Sequence, residues 1–269
     1  MKALSKIYTA IIFIFLYAPI VVLIVFSFNN GKSRSVWKGF SLRWYENLFN
    51  DDTILSALAT SLEVAVLSAI IATVVGTAAA IGLKSMNKKI RSVMLTINNI
   101  PMVNPDIVTG ISMMLLFVAL YSATGLFQPG FGTLVIAHVT FCIPYVVLSV
   151  IPKLNQMNPS IYEAAQDLGC HPVNAFFKVV LPDIMPGIVS GMLMAFTLSL
   201  DDFVISYFTS GSTAQTLPMV IYSMTKRRVS PKINALSALM FFVVLILLLA
   251  VNLIQIRGQS SNKKKKLSA

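Results

Sequence analysis

The sequence predicts an all-α membrane protein with six transmembrane helices, organised as a single domain over residues 1–269. Composition is the first reason: 56% of the residues are hydrophobic and only 12% charged, against about 45–50% and about 25% in soluble globular domains. Mean hydropathy of +0.79 is the second. The third is that six separate runs reach the length of about 20 apolar residues that crosses the hydrocarbon of a bilayer. Water-soluble enzymes, disordered tails and disulfide scaffolds are excluded as classes. The two cysteines, Cys142 in an apolar run and Cys170 in a polar segment, provide no disulfide framework. In this setting the net charge of +11 points to loops and anionic headgroups rather than to nucleic acid.

The six runs are Ile7–Phe28, Leu58–Leu83, Val93–Tyr121, Phe131–Ile151, Ile184–Phe208 and Ala235–Ile256. The first follows Lys2 and Lys6, as a secretory signal would. It is too long for a signal core and no small-residue cleavage site follows it, so it is expected to be retained as a helix. The third is long and interrupted by Pro101 and Asn104-Pro105.

With the N-terminus inside, the inner segments hold 13 Lys and Arg residues, five of them in the C-terminal tail, and the outer loops hold 8. The nine-residue loop Lys84–Ser92, with four basic residues, votes most strongly, because short loops obey the charge rule best. Both termini are therefore expected to be cytoplasmic. Two long connections remain, Asn29–Ala57 outside and Pro152–Asp183 inside, with Thr209–Asn234 as a third, outer one.

The inner connection contains Asn158-Pro-Ser-Ile-Tyr-Glu-Ala-Ala-Gln-Asp-Leu-Gly169. Ser160 and Glu163 stand at capping-box spacing, Ala164 and Ala165 give a small, smooth surface, and Gly169 permits a left-handed stop. Pro172 can open a second helix running through Phe176 and Phe177 to Leu181-Pro182. The expected form is a helix-turn-helix on the inner membrane surface.

Four of the ten acidic residues, Glu63, Asp106, Asp201 and Asp202, fall within the predicted spans. Each costs roughly 2.5–3.5 kcal/mol at a helix centre, so such residues face a cavity or a partner. Together they point to a cationic cargo. Asp106 follows the interruption at Asn104-Pro105 and is expected in the first turn of an outer half-helix, about halfway across the bilayer, where the helix N-terminus stabilises a carboxylate by roughly 0.3–1 kcal/mol. Asp201 and Asp202 project about 100° apart on a helix, so one is expected to face the path and the other a neighbouring helix or the headgroups. Trp44 in the first outer loop reads as an interfacial anchor or as an aromatic face for an ammonium group. His138 is expected to make a hydrogen bond within the bundle and His171 to cap a helix.

The run Glu163-Ala164-Ala165, three residues, Gly169, nine residues, Val179-Val180-Leu181-Pro182 resembles the EAA loop of ABC importer permeases, with Val179 where Ile is usual. Trp44-Tyr45, Asn104-Pro105-Asp106, Thr140–Tyr145, Ser199-Leu-Asp-Asp202 and Leu217-Pro…Ser230-Pro231 extend the resemblance to the PotC-type permeases of spermidine/putrescine importers, with Asn104 in place of serine. The resemblance implies a type I ABC importer (MetI-like) permease fold in a bacterial cytoplasmic membrane. It makes the loop a coupling helix, with Glu163, Ala164, Ala165, Gly169, Leu181 and Pro182 meeting an ATP-binding subunit, and it places Asp106, Asp201, Asp202 and Trp44 along a polyamine path.

The chain has no Walker A sequence, so ATP and Mg are expected on a partner ATPase dimer. No cofactor, metal or catalytic residue is expected on this chain. The other implied partners are a second permease (a PotB-like paralogue), membrane lipids and an extracytoplasmic polyamine-binding protein, for which Lys226–Arg228 offer a docking surface. A thiamine or ferric-iron importer is the same class with another cargo. A cation channel would leave the EAA loop without a purpose. An intramembrane aspartyl protease lacks its Gly-x-Gly-Asp setting.

Overall fold

The computed structural model describes residues 2–31, 36–227, 231–246 and 248–249. Helices account for nearly all of them. The described part contains α1 (Lys2–Ser27), α2 (Arg43–Phe49), α3 (Asp52–Ser85), α4 (Lys88–Val103), α5 (Asp106–Thr124), α6 (Phe131–Gln156), α7 (Pro159–Asp167), α8 (Pro172–Ala175), a π-helical turn at Phe176–Val180, α9 (Leu181–Asp201), α10 (Val204–Thr209) and α11 (Leu217–Arg227). A last apolar helix, α12, covers Pro231–Ile246. Five segments are long and apolar enough to cross a bilayer: Lys6–Ser27, Asp52–Ser85, Asp106–Thr124, Phe131–Gln156 and Pro172–Asp201. α12 answers to the sixth predicted span, whose C-terminal part lies outside the described residues.

Three boundaries differ from expectation, each for a local reason. α3 begins six residues before Leu58 because Asp51 Oδ1 accepts the amides of Thr53 (3.0 Å) and Ile54 (3.3 Å), capping the helix early. The third run breaks at Asn104-Pro105 as expected, but its second part is longer than a half-helix. Asn104 and Pro105 are extended, at φ −72°, ψ 138° and φ −57°, ψ 134°, as a residue before proline prefers. α5, at 19 residues, is itself long enough to cross. The fifth run is broken instead: α9 ends at Asp201, Asp202 is extended (φ −64°, ψ 127°) and α10 resumes at Val204.

Contacts group the chain into two compact units, the first built from Met1–Ala59 and Leu217–Ala250, the second chiefly from Thr60–Thr216. In the first, Trp44 and Leu48 of α2, Ile54 and Ala57 of α3, Leu217 and Val220 of α11, and Ala235 and Leu236 of α12 form one buried apolar cluster.

The core of the second unit is the pairing of α6 with α9, joined by α3. Cys142, Val146, Val147 and Val150 of α6 pack with Ile184 and Ala195 of α9 and Ala69, Ala72 and Ala80 of α3. Lipid gives little hydrophobic drive for helix pairing, so close approach of small residues supplies it. Gly187 and Gly191, four apart on α9, do this. A Cβ on Gly187 would stand 2.9 Å from the Ser149 carbonyl oxygen, and one on Gly191 3.1 Å from the Val146 Cα. Gly76 of α3 approaches the Val146 side chain in the same way, at 2.8 Å.

Candidate functional site

The inner hairpin takes the expected form with a different start. Asn158, not Ser160, is the cap: its Oδ1 accepts the Ser160 amide at 3.1 Å, and Pro159 occupies the first helical turn. The Ser160–Glu163 capping box therefore does not form. Glu163 and Ala164 are exposed and Ala165 is half-buried. Glu163 makes no hydrogen bond or ion pair among the described residues, so its carboxylate is available to another chain. Gly169 closes α7 at φ +82°, with its amide on the Gln166 carbonyl (2.8 Å) and the Cys170 amide on Ala165 (3.1 Å), the left-handed stop anticipated from the sequence.

The second arm does not end at Leu181-Pro182. It continues through the π-helical turn into α9, so that Pro172–Asp201 is one apolar helical segment of 30 residues. Pro182 has no N–H and its ring crowds the carbonyl four residues back; one wide turn just before it relieves that clash without ending the helix. His171 stands at the N-cap position of α8, but its side chain makes no cap hydrogen bond.

The break in the fifth span separates its two aspartates. Asp201 is exposed at the last position of α9. Asp202 turns inward and caps α10: Oδ2 accepts the Ser206 amide (2.7 Å) and the Ser206 hydroxyl (2.8 Å), and Oδ1 accepts the Ile205 amide (3.3 Å). His138 of α6, fully buried, joins it. Its Nε2 lies 3.0 Å from Ser206 Oγ and 3.5 Å from Asp202 Oδ2, and its Nδ1 lies 2.6 Å from Ser199 Oγ. Ser199 in turn meets Ser68 of α3 at 2.9 Å. A polar chain thus links four helices through the break.

Asp202 is therefore removed from the set of free path carboxylates. The i, i+4 spacing of Asp202 and Ser206 was the signal available in the sequence. His138 makes the expected bundle hydrogen bond.

Asp106 occupies the first turn of α5 and is exposed. It stands directly after the Asn104-Pro105 break, as expected. One turn on, Gly110 lies against α10, where a Cβ would meet Phe208 Cδ2 at 2.8 Å and Ile205 Cα at 3.5 Å. α5 and α10 pack along this face, so the turn carrying Asp106 is drawn towards the element that follows Asp201.

Trp44 presents no open aromatic face. Its ring is 8% exposed and its Nε1 donates to the Asn29 carbonyl at 2.7 Å, because the ring fills the cluster between α2, α3, α11 and α12. Glu63 is exposed on α3. Of the basic trio Lys226–Arg228, Lys226 lies 5.0 Å from the centre of the Tyr222 ring, and Arg228 lies outside the described residues. Among the described residues no group of three or more His, Cys, Asp or Glu is placed to hold a metal.

Residues 72–257, which contain the hairpin, the break and the α6–α9 core, match the family described as binding-protein-dependent transport system inner membrane component. The chain belongs to this family. Among similar proteins, the putrescine transport system permease protein PotI of Escherichia coli (strain K12) is 46% identical over 237 residues, 86% of this chain and 83% of that protein. The spermidine/putrescine transport system permease protein PotC of Haemophilus influenzae is 39% identical over 244 residues, 91% of this chain and 93% of that protein. A crystal structure of a bacterial ABC transporter involved in the import of the acidic polysaccharide alginate superposes with a TM-score of 0.73 at 17% identity, covering 95% of each chain. That likeness shows the fold, a type I ABC importer permease. As a member of this inner-membrane family the chain is a multi-pass transport subunit.

Proposed function

We propose that the chain forms half of the path of an ATP-driven polyamine importer in a bacterial cytoplasmic membrane, with both termini inside. A second permease completes the path, an extracytoplasmic binding protein delivers the cargo, and a separate ATPase dimer supplies the energy. The names of the similar permeases support spermidine or putrescine as cargo.

The observation that supports the reading is a pair of exposed carboxylates, Asp106 in the first turn of α5 and Asp201 at the end of α9, with α10, the element after Asp201, packed on α5. Asp106 sits at a helix N-terminus, whose macrodipole favours a negative group. Asp201 sits at a helix C-terminus, where the carbonyl ends add their own negative potential. A carboxylate at that second position is electrostatically unfavourable by itself and is relieved by a cation. A polyamine, with ammonium groups separated by methylenes, uses two such carboxylates in succession while its chain lies on apolar walls. Movement is driven when ATP closes the partner ATPases and the hairpin carrying Glu163, Ala164 and Ala165 moves with them.

The test is uptake of labelled spermidine and putrescine by cells lacking the gene, with the gene restored, and with Asp106→Asn or Asp201→Asn. Loss without the gene, restoration by the native chain and reduced uptake at subsaturating polyamine in both variants are expected. Unchanged uptake in cells shown to have no second polyamine system sinks the cargo assignment, and normal uptake in either variant removes that residue from the path.

A further inference from the structure

We propose that His138 is a positioning residue for transport. With Asp202 it holds one proton more than a neutral imidazole and a free carboxylate would, so the pair is uncharged as a whole and Asp201 is left as the free carboxylate at the break. The role of Asp201 rests on the function proposed above; the proton count does not.

The count follows from the polar chain itself. Five contacts run in series: Ser68 Oγ to the Val64 carbonyl (2.6 Å), Ser68 Oγ to Ser199 Oγ (2.9 Å), Ser199 Oγ to His138 Nδ1 (2.6 Å), His138 Nε2 to Ser206 Oγ (3.0 Å) and Ser206 Oγ to Asp202 Oδ2 (2.8 Å). At these separations each needs a hydrogen between its two atoms. Three hydroxyls and a neutral imidazole supply four. The fifth must come from an added proton.

The direction of each bond is then forced. The Val64 carbonyl cannot donate, so the Ser68 hydrogen lies towards it. Ser199 therefore donates to Ser68, and Nδ1 of His138 must carry a hydrogen towards Ser199. On the other side, Ser206 brings one hydrogen for its two shorter contacts, Nε2 and Oδ2, its approach to the Asp202 carbonyl being longer at 3.2 Å. The second is on Nε2, giving imidazolium and carboxylate, or on Asp202, giving imidazole and carboxylic acid. The two forms share one proton and one net charge, as a coupled pair does. The Ser206 amide, also on Oδ2 at 2.7 Å, is satisfied in either.

Nearby titratable groups do not supply the proton. Cys142, one turn along α6, donates its Sγ hydrogen to the Ala195 carbonyl at 3.4 Å, and Asp201 turns away at the end of α9.

The consequence for transport is a division of labour. An isolated buried carboxylate beside the path would compete for the ammonium groups. A pair neutralised by its own proton cannot, yet it holds α10, α9, α6 and α3 together at the break and so fixes where Asp201 points.

The deciding experiment uses the full chain with both ring nitrogens of histidine isotopically labelled, assembled with unlabelled partners in lipid. His171, exposed and the other histidine of the chain, is replaced by Gln so that one ring remains. Magnetic resonance, with the aspartate carboxyl carbons labelled as well, should find Nδ1 protonated at about pH 7 together with a second proton on Nε2 or on the Asp202 carboxyl; Nδ1 protonated with Nε2 bare and Asp202 a carboxylate is the plain neutral ring and overturns the proposal. A bare Nδ1 overturns the proposal.

Kinetics supply the second arm. Asp201→Asn should raise KM for spermidine about tenfold, whereas Asp202→Asn should lower kcat with KM within about twofold. Equal KM effects from the two substitutions overturn the division of labour. An unchanged KM in Asp201→Asn, with the second proton found on Nε2 or Asp202, defeats the cargo role of Asp201 and leaves the shared proton standing.

Discussion

The Lys232 ammonium, in the first turn of α12, donates to the carboxylate of Asp51, the same group that caps α3 through the amides of Thr53 and Ile54. One carboxylate thereby closes a helix start and ties it to a segment 181 residues away in sequence. The Lys232 hydrogen bond, reinforced by its charge and by the two amides, holds the Asp51 carboxyl below its ordinary value of 3.8. Because the folded-state value is depressed, the stabilisation is complete above about pH 4 and is lost as the pH falls through and below that value. Lys232→Met should lower stability by about 1 kcal/mol or less at neutral pH, since the pair is partly exposed, and should flatten the acid limb of a melting-temperature profile. An unchanged acid limb would show that the pair does not form in the membrane.

The α6–α9 interface gives a sharper test. Gly187→Leu or Gly191→Leu inserts a side chain where a Cβ already meets Ser149, Lys153 or Val146, and overpacking of this kind costs about 1–3 kcal/mol. Gly82→Ala, on α3 with nothing within 4 Å of the added carbon, should be neutral or slightly stabilising, because alanine is preferred to glycine in a helix. Thermal denaturation of the purified transporter in lipid distinguishes the two; equal melting temperatures for all three variants would contradict the close-approach account.

Glu163→Ala should uncouple ATP hydrolysis from uptake while leaving the affinity for the delivering binding protein unchanged. The side chain is exposed and serves no described contact within the chain, so its loss should leave the melting temperature alone. ATP-driven uptake at the native rate would remove Glu163 from the coupling surface.

Gly169→Ala should weaken the hairpin by about 1 kcal/mol, the cost of forcing a Cβ into the left-handed region at φ +82°. Gly169→Asn should recover most of it, since asparagine tolerates that conformation. The readout is hydrogen exchange of the α7 amides; faster exchange in the Ala variant alone is expected, and identical exchange in all three proteins counts against the strained stop.

The spans and the coupling hairpin were legible because each is written in local periodicity and spacing. Apolar runs of bilayer length, Pro105 and Pro172 at helix starts, and Gly169 at a stop act within a few residues of themselves. The site was legible only as a list of charged residues. Which of Asp201 and Asp202 turns inward depends on His138 and Ser68, 64 and 134 positions away in sequence, and no local pattern reports such a partner. The burial of Trp44 was illegible for the same reason: the cluster that covers it comes largely from α11 and α12, more than 170 positions away in sequence. The Gly187-x-x-x-Gly191 spacing was readable and lies on the α6–α9 contact.

The unbroken segment Pro172–Asp201 has a mechanical meaning. Thirty helical residues at 1.5 Å each make a strut about 45 Å long, with the hairpin proposed to meet the ATPase at one end and a carboxylate at the other. A tilt of about 5° at the hairpin would carry Asp201 by roughly 4 Å, comparable to the reach of an ion pair. The π-helical turn near the driven end is the compliant joint in that strut. On the function proposed above, a small rotation at the hairpin is thus enough, by leverage alone, to bring an ammonium group into or out of contact with Asp201.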